Sequence, residues 1–342
     1  MIPRTSPGQV HRQPGMHRAR LAGLFSLLLC LAPGRPALAI QVPGPLVETD
    51  WLDSHLDQVT LLDIREELES FTRPAVLVRK RFTEELVLNR FGAHIPGATL
   101  VDFSEIRTDR TIDGRDVRRM VPEQGEFEQL MQSWGVNSDA AIVIVSPGTS
   151  NSDMTMATRL YWQIKYYGHD NVAILDGGTA QWLLDQRPAS LAAEEPARGN
   201  WLAREVRKSI NADSEDVARA LQDGSTQLVD TRGLGFYLGA WKQAYVRSKG
   251  HIPGAKVFPN ELLTSPTPPV RFTPPEVLRQ MASELGIDTG ANLITYCNSG
   301  QLASGSWFVF SELLGIRNVR LYDGSMHEWA LERRPLTTLK LE

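Results

Sequence analysis

The sequence predicts an α/β protein of two tandem doubly wound domains, each with a central, mainly parallel sheet flanked by helices. Three observations predict it. One ordered pattern is written twice along the chain. Within each copy, short β-branched apolar runs alternate with longer amphipathic stretches. The length, 342 residues, suits about two domains, and a composition 42% hydrophobic and 22% charged is that of a globular chain.

The first copy runs Val59-Thr-Leu-Leu-Asp63-Ile-Arg65, His94-Ile-Pro-Gly-Ala98, Phe127 to Gly135, Ala141-Ile-Val-Ile-Val-Ser146, Arg159-Leu-Tyr-Trp, Val172-Ala-Ile-Leu-Asp176-Gly177-Gly178 and Trp182. The second runs Gln227-Leu-Val-Asp230-Thr-Arg232, His251-Ile-Pro-Gly-Ala255, Val277 to Gly286, Asn292-Leu-Ile-Thr-Tyr-Cys297, Ser306-Trp-Phe-Val-Phe, Val319-Arg-Leu-Tyr-Asp323-Gly324 and Trp329. The two His-Ile-Pro-Gly-Ala pentapeptides lie 157 residues apart. Order and spacing agree throughout, which identifies an internal duplication. The domains are expected at 45–189 and 205–340. A linker is expected over 190–204, where Pro196, Gly199 and acidic residues interrupt the pattern.

Residues 1–39 read as a secretory signal peptide. Arg4, Arg12, Arg18 and Arg20 precede the apolar run Leu21 to Leu31, and Ala37-Leu38-Ala39 is a small-residue cleavage site. Met16 offers an alternative start. The apolar run is shorter than the roughly 20 residues of a membrane-spanning helix. The expected location is therefore the periplasm or outside the cell, with no stable membrane insertion after cleavage. Cleavage after Ala39 would remove five arginines and no acidic residue, taking the net charge from −4 to −9. That balance argues against a nucleic-acid partner.

Ile142-Val-Ile-Val145 and Leu293-Ile-Thr-Tyr296 read as strands buried on both faces. Gly135 and Gly286 fall where a helix-ending glycine belongs. The basic segment 71–91, with Arg79, Lys80 and Arg81, reads as a solvated helix or loop, with a docking surface as the alternative. His94 and His251 sit in turn pentapeptides and read as structural. Asp176 and Asp323, each before a glycine, are expected to close turns or cap helices.

Two cysteines are present, and Cys30 would leave with the signal. Cys297 then stands unpaired in an exported chain, which normally pairs its cysteines or lacks them. It lies where a strand ends and Asn298-Ser299-Gly300-Gln301-Leu302 leads into a helix expected from about Ala303 through Trp307 to Leu314. Ligands of open α/β sheets bind at such strand ends. Small residues there let main-chain N–H groups and the helix start face the sulfur, which favours its anionic form.

The repeated Asp-x-Arg, His-Ile-Pro-Gly-Ala and Asp-Gly-x-x-x-Trp signatures, together with the Cys297 loop, resemble the tandem rhodanese family of thiosulfate and 3-mercaptopyruvate sulfurtransferases, here of an exported bacterial type. The resemblance covers residues 45 to 338. It implies a non-catalytic first domain, consistent with Ser146 in place of a cysteine, and a catalytic second one. It further implies double displacement through a Cys297 persulfide, a small anionic sulfur donor, a thiol or cyanide acceptor, and no metal or organic cofactor. Thiosulfate enzymes place cations in the loop as Cys-Arg-Lys-Gly, whereas mercaptopyruvate enzymes have Cys-Gly-Ser-Gly. The loop here is uncharged and nearer the second pattern. Gln301-Leu302 departs from the Val-Thr both often show, and Phe236 replaces a further family arginine. Arg232 is a candidate donor-binding residue, with an ion pair to Asp230 as the alternative. Arg247, or Lys249, is a candidate for the missing charge. A phosphatase of the same fold would need an arginine at position 303, which is Ala303. A non-enzymatic sulfur or redox carrier, or a binding module, is the other alternative.

Overall fold

The computed structural model describes residues 40–339; the expected signal peptide, with Cys30, lies outside the described residues. Two five-stranded sheets form the frame. The first orders its strands Leu46–Val47, Val172–Leu175, Ile142–Val145, Thr60–Arg65 and Thr99–Asp102, all parallel. The second orders Asn211–Ala212, Val319–Tyr322, Asn292–Tyr296, Thr226–Asp230 and Lys256–Val257, again all parallel. The duplicated sequence thus folds as a duplicated sheet. The central strands are buried throughout their apolar runs, with Asn292 alone exposed at a strand start. Gly135 and Gly286 adopt φ of +78° and +71° just past their helices. Among the described residues no helix is long and apolar enough to cross a membrane.

The segment 71–91 is neither helix nor plain loop. It forms an antiparallel hairpin of Val76–Arg79 and Leu86–Arg90. Its β-branched Val76, Val78 and Val87 favour the extended strand over the solvated helix or loop expected from its basic residues. A second antiparallel hairpin, Thr108–Ile112 with Arg115–Met120, turns at Asp113 and Gly114, both at positive φ. An Asp-Gly pair is the usual two-residue hairpin turn.

The expected linker is not a free tether. Gly199 N–H donates to the Gln132 carbonyl at 2.8 Å and Trp201 N–H to Val136 at 3.1 Å. The Trp201 side chain is fully buried, edge-on to Phe127 at 5.6 Å. The strap is therefore part of the first domain's core.

The two domains share one apolar cluster, centred on the helices Asn151–Tyr166 and Gln301–Trp307. Tyr161 packs edge-on against Phe308 at 4.9 Å. The hydroxyls of Thr158 and Ser304 lie 2.9 Å apart in the buried seam. Beyond Trp307 the second helix widens to a π-helix over Phe308–Leu313, so the expected single helix holds two hydrogen-bonding registers. Gly305 permits the close approach: a Cβ there would lie 2.7 Å from Leu263 Cδ1 and 3.0 Å from Thr155 Cγ2. Gly305→Val is expected to destabilise the protein by about 1–3 kcal/mol through overpacking, measured by urea unfolding against wild type.

Candidate active site

Cys297 follows the Asn292–Tyr296 strand at the carboxyl edge of the second sheet. The chain turns through Asn298, Ser299 and Gly300 into the Gln301–Trp307 helix. Gly300 holds φ +82°, and a Cβ there would lie 2.5 Å from Asp323 Oδ1 and 2.6 Å from Arg159 Nη1. A side chain at this position has neither the conformation nor the room.

The loop is pinned by its carbonyls. Met326 N–H donates to the Cys297 carbonyl and His327 N–H to that of Asn298, both at 3.1 Å. The Cys297 N–H donates to Ser325 Oγ at 3.1 Å. By contrast, among the described residues the N–H groups of Asn298 through Leu302 donate to no other residue. A tight arc of unspent main-chain donors therefore starts directly after the sulfur.

The first domain shows what a filled arc looks like. Thr179 and Ala180 N–H groups hold the carbonyls of Ser146 and Pro147, the same pinning as at Cys297. There the Asp153 carboxylate accepts from the N–H groups of Thr149 at 2.9 Å and Ser150 at 3.0 Å, closing a capping box. The equivalent helix position in the second domain, three past the N-cap, is Ala303, which has no side-chain acceptor. Ser146 is fully buried with its hydroxyl toward Met154 Sδ at 3.5 Å.

Arg232 forms the ion pair with Asp230 that was the alternative to donor binding. Its Nε lies 2.9 Å from Asp230 Oδ1 and its Nη2 2.5 Å from Oδ2, and Nη2 also donates to the Gly250 carbonyl at 2.8 Å. Burial opposes its charge most strongly, yet Asp230 outweighs burial and holds the guanidinium above its ordinary pKa. Arg65 repeats the arrangement with Asp63 and the Ala93 carbonyl in the domain without a thiol. A feature common to both domains is structural. The only arm of Arg232 toward the site is a 3.4 Å contact from Nη1 to Asn298 Oδ1, which orients the loop. Arg247 is exposed, and among the described residues it makes no hydrogen bond or ion pair. Lys249 is spent on the Ala240 carbonyl. Ser299 Oγ meets Tyr245 Oη at 3.1 Å, and Gln301 reaches Thr155 of the first domain at 3.3 Å. Leu302 packs against the shared core.

His94 and His251 are structural, as their position predicts. Each Nδ1 donates to a carbonyl, of Phe71 at 2.8 Å and of Tyr237 at 2.6 Å, and each ring stacks on that same residue. Asp176 and Asp323 do more than close turns. Asp323 Oδ2 accepts from the Val121 N–H at 2.7 Å, and Asp176 Oδ1 accepts from Phe272 N–H at 2.9 Å. Each aspartate thus ties its own domain to a segment of the other.

Four residues near the thiol escape the sequence reading. Ser325 occupies φ +51° where the first domain has Gly178 at +57°, and its hydroxyl holds the Cys297 N–H. Arg159, fully buried, lies 2.6 Å from Asp323 Oδ1, although none of its nitrogens makes an aligned hydrogen bond. Tyr245 lies across the loop on Ser299, with Arg119 stacked 4.8 Å over its ring. Cys297 itself is 2% exposed, so the sulfur sits on the floor of the site and not at its mouth. Ser325, one residue past the second Asp-Gly, breaks the Gly-Gly of the first copy, and that departure was the available signal.

The rhodanese-like domain family matches the chain twice, over residues 48–185 and 213–332. The chain belongs to the rhodanese family, as a tandem member among sulfurtransferases. It is 33% identical over 299 residues to a Saccharopolyspora erythraea protein provisionally named thiosulfate sulfurtransferase, covering 83% of this chain and 92% of that one. It is 30% identical to the sulfur carrier protein TtuD of Thermus thermophilus over 298 residues, 84% and 94% of the two chains. The 3-mercaptopyruvate sulfotransferase SseA of Escherichia coli superposes with a TM-score of 0.64 at 26% identity, over 82% of this chain and 98% of that one.

Behind the site, burial pushes the Glu328 carboxyl up to about 7, more than neighbouring Tyr322 pulls it down, with Glu332 and Asp323 adding repulsion. The folded protein thus keeps this proton where the unfolded chain, at 4.5, has lost it. The stability this group supplies is complete below pH 4.5 and lost as pH rises through about 7. Glu328→Gln is expected to stabilise the protein on the order of 2–3 kcal/mol above pH 8 and to change little near pH 4, read from thermal unfolding across that range.

Proposed function

We propose that the chain transfers sulfane sulfur from a small anionic donor to a thiol or cyanide through a persulfide on Cys297. One observation carries this reading: the arc of N–H groups from Asn298 to Leu302 is unspent at Cys297, while at Ser146 the Asp153 carboxylate takes the N–H groups of Thr149 and Ser150. Such an arc favours anionic sulfur, first the attacking sulfur and then the outer sulfur of the persulfide.

The steps balance without a redox partner. With thiosulfate, the Cys297 thiolate attacks the outer sulfur; a new S–S bond forms, the donor S–S bond breaks, and sulfite leaves with the electron pair. With 3-mercaptopyruvate the C–S bond breaks instead, and the thiol proton ends on the methyl carbon of pyruvate. The acceptor then attacks the outer sulfur of the persulfide and frees the Cys297 thiolate; cyanide leaves as thiocyanate. Because the loop is neutral, mercaptopyruvate and thiosulfate both fit the reading.

A carrier handing sulfur between proteins is the second reading, favoured by the name of the Thermus relative. The 2% exposure of Cys297 weighs against it, since a protein acceptor has to reach the outer sulfur.

Mass spectrometry after exposure to thiosulfate or 3-mercaptopyruvate is expected to show a gain of about 32 Da on Cys297 and thiocyanate turnover with cyanide, both abolished by Cys297→Ser. Loading without turnover supports the carrier, and no adduct from either donor refutes both readings. Since Tyr245 covers the loop, Tyr245→Ala is expected to speed alkylation of Cys297 by neutral iodoacetamide about tenfold; an unchanged rate would place the barrier to access elsewhere.

A further inference from the structure

A neutral loop leaves unanswered what holds an anionic donor over Cys297. The charge lies in the other domain. We propose that Arg107 and Arg119 of the first domain form the anion-binding half of the site, taking the sulfonate or carboxylate of the donor while Cys297 of the second domain takes its sulfur. This deepens the function proposed above and rests on it for the identity of the reacting sulfur.

The hairpin Thr108–Met120 and its leading residue carry five arginines, at 107, 110, 115, 118 and 119. Three are matched by carboxylates: Arg110 by Glu123, Arg115 by Glu332 at 4.0 Å and Arg118 by Asp109 at 3.9 Å. Among the described residues Arg107 and Arg119 have no such partner. Arg107 lies 3.8 Å over the Phe103 ring, and its Nε is buried with nothing to donate to. Burial first, then Arg119 and Arg159, bring its guanidinium down to about 10, the condition of a cation that lacks its counter-ion.

Arg119 is aimed by its backbone. It is not glycine, yet it holds φ +64°, beside the irregularity where the hairpin's register shifts between Thr108 and Arg110. The turn directs its guanidinium over Tyr245, whose hydroxyl is 3.1 Å from Ser299 Oγ in the Cys297 loop. Burial raises the Tyr245 phenol most, Ser299 opposes it, Cys297 adds to it, and Arg119 and Arg107 pull it down. The duplication supplies an internal comparison. Over the Ser146 loop the crossing cation is Arg271 from the second domain, and it is neutralised by Asp176 at 2.9 Å and by Glu48. At the thiol site Arg159 is spent in the same way, on Asp323, whereas Arg107 and Arg119 have no carboxylate partner among the described residues.

The test separates binding from chemistry. In the Cys297→Ser chain, calorimetric titration with thiosulfate and with pyruvate measures anion binding without sulfur transfer. Arg107→Gln/Arg119→Gln is expected to weaken both at least tenfold. Arg107→Lys should recover part of the loss, and Arg81→Gln on the distant hairpin should lose none. In the chain that keeps Cys297, the double variant is expected to raise the donor KM at least tenfold with kcat within about threefold. Affinity unchanged within twofold in the double variant, or no titratable anion binding in its Cys297→Ser parent, overturns the proposal. Intact anion binding with no thiocyanate turnover leaves this inference standing and sinks the sulfur-transfer reading instead.

Discussion

An arc of main-chain N–H groups that the protein leaves unspent is the constraint around which the site is arranged. Folded chains pair nearly all buried donors, so such an arc is costly unless a ligand completes it. Pinning the carbonyls of Cys297 and Asn298 on Met326 and His327 keeps the loop from curling to satisfy itself. Gly300 gives the turn, and the Arg232–Asp230 pair beneath it holds Asn298. The environment of a single sulfur thus depends on several residues distant from it in sequence.

Duplication made this arrangement readable, because the molecule carries its own control. Both domains keep the sheet, the buried arginine–aspartate pair, the histidine stacked in its turn and the aspartate that reaches across the seam. They differ where one has Asp153 in its loop and the other has Ala303. The first domain is therefore more than a scaffold. It closes the second domain's site with Val121 and Arg159, and brings a hairpin of arginines to its rim.

The fold was legible because it rests on patterns with fixed periods. The uniform apolar runs at 142–145 and 293–296 are strands, and the glycines at 135 and 286 end helices. The thiol was legible because an unpaired cysteine stood at a strand end. What escaped was everything set by contact between segments distant in sequence. Asp323 meeting Val121, and Arg159 under Gly300, are separated by well over a hundred residues, and no local spacing encodes them. Arg232 was ambiguous for the same reason, since only its burial against Asp230 and Gly250 shows that its charge is consumed. The hairpins were a different failure. The valines of 76–87 favour strand, but charge drew the reading of that segment away from it, and the plain turn signal Asp113-Gly114 went unread.

A crystal structure of the protein after reaction with its donor tests the account most directly. The account predicts an outer sulfur on Cys297 within hydrogen-bonding distance of the N–H groups between Asn298 and Leu302, with the loop unmoved. Sulfur bound elsewhere, or those N–H groups turned to other partners while Cys297 stays bare, would contradict it.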